Sequence, residues 1–239
     1  MTASERLQLK LDLILPAFGA PGRLLLDHPR AQELYPPYLA AGAYVALTMV
    51  PLMETALEGA RALAPDDPVA ANLVEYLERH IPEEMHGEGP NHAALADLEA
   101  IGVDTAALRA SPLPTPVAAI IGMQYFWILQ CHPVAILGLL ELEAYHPHVP
   151  AVEELIQKTG LPREGFRQLL LHAELDVEHA EELHLVVDSL PLEPQHEALI
   201  SLSALQTMGL LIHAWLDVVT DTDKSPWLPA SGSPMRQFS

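Results

Sequence analysis

An all-α fold is what this sequence predicts, and three observations carry the prediction. Ala-, Leu- and Glu-rich segments alternate with short Pro or Gly breaks. Prolines stand where first helical turns begin: Pro68 after Asp66-Asp67, Pro162 after Gly160 and Pro194 after Glu193. Proline is tolerated there because its missing N–H would have no helical partner anyway. No alternating β-branched runs joined by Asn-Gly turns occur, so strands are not expected.

In chain order the pattern predicts helices near residues 5–15, 39–64, 68–86, 92–99, 116–145, 151–158, 162–190 and 194–219. In the second of these, Val45, Met49, Leu52 and Ala56 share one face, which is the spacing of a core stripe. Pro51 and Pro133 fall inside predicted helices and should kink or break them. No internal repeat or linker divides residues 1–222, which read as a single domain. Residues 223–239 hold Pro226, Pro229, Gly232, Pro234 and four serines and are expected to be an irregular or disordered tail.

The 239 residues carry 12 Lys plus Arg against 32 Asp plus Glu, a net charge of −20. That balance argues against nucleic acid or an anionic membrane as partner. One cysteine, Cys131, excludes an intrachain disulfide framework and a zinc site built from several thiolates. Residues 1–10 have no apolar signal-peptide core, so a cytoplasmic location is expected. Residues 110–140 contain no Asp, Glu, Lys or Arg. The 31-residue run is long enough to span a bilayer, but Pro112, Pro114, Pro116, Gln124, Gln130, His132 and Pro133 interrupt it. A helix buried on all sides is the preferred reading.

Three elements hold the residues that can do chemistry. His172, Asp176 and His179 lie at i, i+4 and i+7, within about 60° of one another around a helix. Imidazole and carboxylate together suit iron or manganese. The bland alternative is a solvated face, since Glu174, Glu178, Glu181, Glu182 and His184 share the stretch. Second, Glu83 and His86 have the Glu-x-x-His spacing that di-iron carboxylate bundles use. His92 competes for the role of His86, while His80 and Glu84 are expected at the surface. Third, Glu141 and Glu143 end the charge-free run. A carboxylate in so apolar a helix is expensive unless paired or metal-bound, and only one of the two need point inward.

In these motifs the chain resembles the haem-oxygenase-like di-iron oxidases and oxygenases, the iron-containing redox enzymes. The features are His-x3-Asp-x2-His, a preceding carboxylate helix, and Glu-x-x-His with His86 standing 86 positions before His172. The segments beginning at His132-Pro133 and at Leu142-Glu143 also look like the family's middle helix, and the resemblance runs from about Tyr38 to Val219. It implies a haem-oxygenase-like multi-helix bundle. The six ligands it implies for two non-haem irons are Glu83, His86, Glu143, His172, Asp176 and His179, with Glu141 and His92 left open for the third and second roles. One iron is expected to be held weakly, given the Pro and Gly around Glu83.

The activity implied is O2-dependent oxidation of a small organic acid or amino acid, by N-oxygenation, C–C cleavage, desaturation or decarboxylation in specialised metabolism. Dioxygen is the co-substrate, and a homodimer and an external electron donor are the implied partners. A carboxylate substrate wants a cationic anchor, for which Arg163 and Arg167 precede His172 on one predicted helix. Tyr125, Phe126, Trp127 and Trp215 are candidates for an apolar pocket, although core packing is the commoner role.

Two rival readings use other residues. A ferritin-like site would pair Glu83/His86 with Glu181/His184 and add Glu54 or Glu58 and Glu141 or Glu143. A metal-free, thiaminase-like or cofactorless enzyme of the same fold would take Cys131, beside His132, as its candidate nucleophile; a lone cysteine is more often inert core.

Overall fold

The computed structural model describes residues 1–85, 90–145 and 147–220; within these spans the side chains of residues 90–92, 143, 172 and 174–180 are outside the description. Among the described residues there is no strand. The chain runs through α1 (Ala3–Leu11), α2 (Leu15–Phe18), α3 (Ala20–Asp27), α4 (Ala31–Leu63), α5 (Pro68–Met85) and α6 (Pro90–Ala100). It continues through α7 (Thr105–Ala110), α8 (Thr115–Gln130), α9 (Ile136–Leu140), α10 (Val149–Thr159), α11 (Arg167–Ser189) and α12 (Pro194–Thr220). Single 3₁₀ turns at Pro133–Ala135, Glu141–Ala144 and Arg163–Phe166 join the later helices.

Local capping explains many of the boundaries. Thr2 and Glu5 form a reciprocal capping box at the start of α1. Asp67 accepts the amides of Val69 and Ala70 at 2.8 and 3.0 Å and starts α5. Asp104 caps α7 through the Ala107 amide. Gly160, at φ 64°, ends α10 in the left-handed conformation that glycine adopts without penalty.

Two expectations about proline come out differently. The helix predicted over 116–145 is broken: α8 ends at Gln130, and Cys131 leaves helical geometry at φ −115°, ψ −83°. Pro133 then opens a 3₁₀ turn, because it has no N–H to continue the α8 ladder. The charge-free run is therefore two helices meeting at a corner, with no uninterrupted span longer than the 16 residues of α8. Pro51 does not break α4, which continues through it. Pro51 is exposed, while Leu52, Met53 and Ala56 beside it are buried, so packing on the inner face holds the helix together.

The core lies around α4 and α12. The first packs against α5, α6, α8 and α12; the second packs against α8, α9 and α1. Val45, Met49, Leu52 and Ala56 are all buried, as their spacing predicts. Both long helices contain a window apolar enough to cross a membrane by composition; in α4, 67% of that window is buried inside the bundle, so its apolar content is used in packing. A polar clasp joins α8 to α12, where the wholly buried Gln124 donates to Ser203 and Thr207, each at 2.9 Å. Trp215 stacks on Tyr38 at 5.2 Å and meets Phe18 edge-on, docking the N-terminal helices; Trp127 is buried and Phe126 is exposed.

Helices α9 and α12 approach closely at Gly138. A Cβ placed on Gly138 would overlap the Ile200 carbonyl oxygen and stand 2.6 Å from Ser203 Cβ and 2.7 Å from the Ala204 nitrogen. Backbone cannot give way as a side chain end can. Gly138→Ala should therefore cost about 1–3 kcal/mol, or more if α9 is displaced. A urea or thermal unfolding comparison checks this; an unchanged midpoint would contradict the close approach.

Candidate metal centre

The 3₁₀ turn at Glu141–Ala144 ends the apolar run and packs against α11. Glu141 is only 1% exposed, and among the described residues neither carboxylate oxygen has a hydrogen-bond partner. His184 Nε2 lies 3.5 Å from Oε2. That is an ion-pair distance rather than a well-formed hydrogen bond, and His184 Nε2 makes no hydrogen bond among the described residues. Contact with Glu141 raises the His184 imidazole above its ordinary value, against the effect of its burial. Tyr145, pushed up to about 12 chiefly by burial, donates to Gln8 at 3.1 Å nearby.

The C-terminal end of α5 brings a second set. Its buried residues, including Leu73, Leu77 and Ile81, define one face, and both His80 and Glu84 belong to it at 7% exposure each. The surface placement expected for these two is thus corrected. His80 stacks on Tyr76 at 5.0 Å, which carries it inward with the stripe. Glu83, one residue earlier than Glu84, is turned about 100° away and is 55% exposed, 3.6 Å from His80 Nδ1.

Helix α11 is continuous from Arg167 to Ser189, so His172, Asp176 and His179 do occupy positions i, i+4 and i+7 of one helix. Those positions share the helical phase of Leu183, Val187 and Leu190, which are buried. The side chains of His172, Asp176, His179 and Glu143, and all of His86, lie outside the described residues, as do the side chain of His92 and the tail from 223 to 239.

Residues needed by the rival readings are placed elsewhere. Glu54, Glu58 and Glu181 are exposed. Cys131 is exposed at the end of α8, not buried in a pocket. Arg163 is committed to Glu153 through two contacts of 2.8 and 2.6 Å, and Arg167 is exposed. Among the described residues no Lys or Arg is buried.

One cluster had no sequence signal linking its parts. Asp67, His132 and His196 each offer a ligand-type atom, and all three atoms lie within 4.8 Å of one another. The cluster stands at the opposite end of α5 from Glu84, about 25 Å away along the helix. Its proton arrangement disfavours a metal. His132 Nδ1 accepts the Val134 amide at 3.0 Å, and His196 Nδ1 accepts the Glu193 amide at 3.2 Å. A neutral imidazole that accepts at Nδ1 carries its proton on Nε2, leaving no lone pair there for a cation. His132 Nε2 instead donates to Asp67 Oδ2 at 3.2 Å. The Asp67–His132 hydrogen bond staples the start of α5 to the corner after α8, and His196 from the start of α12 packs its ring against His132 at 4.8 Å between centroids.

Burial alone would raise the Asp67 carboxyl, but the Ala70 and Val69 amides and His132 outweigh it and hold it below its ordinary value. A depressed carboxylate contributes stability above its unfolded value and loses it as pH falls through the folded one. Asp67→Ala should cost about 1 kcal/mol near neutrality. Its gap from the native protein should shrink on acidification. Urea midpoints between acid and neutral pH test this; a constant gap would contradict the staple.

Comparison with known proteins places this geometry in a family. A family model described as iron-containing redox enzyme matches residues 33–211. None of the curated proteins matches the chain. Among solved structures, a domain of unknown function with a heme oxygenase-like fold from Shewanella denitrificans superposes with a TM-score of 0.72 at 18% identity, covering 90% of each chain. A TenA homolog from Pseudomonas syringae pv. tomato gives 0.61 at 14% identity, covering 89% of this chain and 91% of that one. A cadd-like protein of unknown function from Nostoc punctiforme gives 0.61 at 17% identity, covering 90% and 96%. At these identities the structures speak for the fold alone. With three quarters of its length matched, this chain belongs to the iron-containing redox enzyme family and has the haem-oxygenase-like fold.

Proposed function

We propose that this protein is a non-haem di-iron, O2-dependent oxidase or oxygenase acting on a small organic acid or amino acid. The observation that carries the reading is Glu141: a carboxylate at 1% exposure with no hydrogen bond to either oxygen among the described residues, on the turn that packs against α11. Such a group is costly in an apolar core unless a cation completes it. Carboxylate and imidazole are the donors that iron takes.

The residues that would hold two irons are Glu83 or Glu84 on α5, His86 or His92 after it, Glu143 or Glu141, and His172, Asp176 and His179 on α11. The burial of Glu84 and Glu141 favours these two as inward carboxylates of their elements. When bound, two ferrous ions supply the electrons and open positions that dioxygen reduction requires. The chain's part is to hold the ligands rigidly and to keep water out. Leu137, Leu139 and Leu140 before Glu141, with Leu183 and Val187 on α11, are buried and supply apolar walls. A ferritin-like assembly is disfavoured by the exposure of Glu54, Glu58 and Glu181, and a cysteine hydrolase by the exposure of Cys131.

Anaerobic Fe(II) titration of the metal-free protein, followed by O2-uptake measurement, tests the reading. Two irons per chain are expected, one binding more weakly, with O2 consumption that depends on both. His179→Ala should abolish binding of at least one iron, and Glu141→Ala should weaken iron binding at least tenfold. Iron binding that survives loss of His179 but not of His184 would overturn the ligand set in favour of the Glu181/His184 pattern. Absence of both iron and O2 uptake would overturn the function.

A further inference from the structure

Helix α11 begins without a local cap. The residue before it is Phe166, whose side chain makes no capping hydrogen bond. Serine, threonine, asparagine or aspartate usually fills that place. Here the acceptor comes from another helix: Asp97 of α6, at 0% exposure, accepts the Gln168 amide through Oδ2 at 2.8 Å. The positive end of the helix dipole favours a carboxylate there.

Two further contacts press on the same point. Tyr35 of α4 donates to the Gly165 carbonyl at 2.7 Å, and its ring stacks on Phe166 at 4.2 Å and 14°. Gly165 itself lies so close to α6 that an added Cβ would overlap Ile101 and stand 3.2 Å from the Asp97 carbonyl oxygen. The start of α11 is thus fixed in register against α4 and α6 together.

The placement matters because of what the two joined helices carry. Gln168 is one helical turn before His172, the first of the three ligand positions on α11. Asp97 lies five residues after His92, on the helix that follows the Glu83–His86 segment. A cap supplied by residue 166 would stabilise α11 equally well but would not tie it to α6. We propose that Asp97 is a positioning residue: its bond to the Gln168 amide sets the separation between the iron ligands on α11 and those at the α5–α6 junction. This rests on the di-iron reading above.

Two measurements on one set of variants test the proposal. In the metal-free protein, Asp97→Ala should speed hydrogen exchange of the amides from residues 168 to 172 at least tenfold, while exchange in α4, α8 and α12 stays as in the native protein. In Fe(II) titrations the same variant should lose at least tenfold in affinity for one of the two irons. Asp97→Asn, which can still accept the bond, should restore both. If Asp97→Ala fails to fold, Asp97→Leu fills the volume without accepting and is read in the same way. Unchanged exchange at 168–172, or faster exchange with iron affinity untouched, would overturn the proposal. If the native protein itself binds no iron, the functional reading fails. The exchange arm then still decides whether Asp97 holds the start of α11.

Discussion

Moving a carboxylate out of water into a helical core costs several kcal/mol unless something returns what hydration supplied. Among the described residues three carboxylates are in that position: Glu84, Asp97 and Glu141. Each solves the problem differently, and the architecture follows from the solutions. Asp97 takes the amide that opens α11. Among the described residues Glu141 has His184 at 3.5 Å and no hydrogen bond to either oxygen. Glu84 sits on the buried face of α5, where the helix ends.

The rest of the bundle can be read as the frame for that arrangement. The corner at Cys131–Pro133 turns the apolar run so that α9 crosses α12 at Gly138 and the following turn meets α11. At the far end of α5, the Asp67–His132 bond staples that corner to the start of α5, and His196 from the start of α12 packs on His132. One end of α5 is thus held by protons and the other presents groups that suit a metal. The distinction rests on tautomers: amides that donate to Nδ1 of His132 and His196 leave both Nε2 atoms protonated.

Much of this was legible in the sequence. The helical class, the core stripe from Val45 to Ala56 and the shared face of positions 172, 176 and 179 all follow from periodicity, which is local and strong. The break at Pro133 was legible for the same reason, whereas continuity through Pro51 depends on neighbours that α4 alone does not reveal. Burial of His80 and Glu84 was missed because single polar residues say little about phase; the stacking partner Tyr76 stands one turn away and decides it. The Asp67 staple and the Asp97 cap join residues far apart in sequence, 65 and 71 positions respectively, and no local pattern announces them.

The central proposal is that iron is held by the carboxylate of the Glu141 turn and by α11, which pack together, with ligands from the end of α5. Anomalous diffraction at the iron absorption edge, from crystals loaded with Fe(II) without oxygen, tests it most directly. Density for two irons is expected within bonding distance of the inward carboxylates and of the α11 histidines. Iron found instead among Asp67, His132 and His196, or nowhere in the bundle, would contradict it.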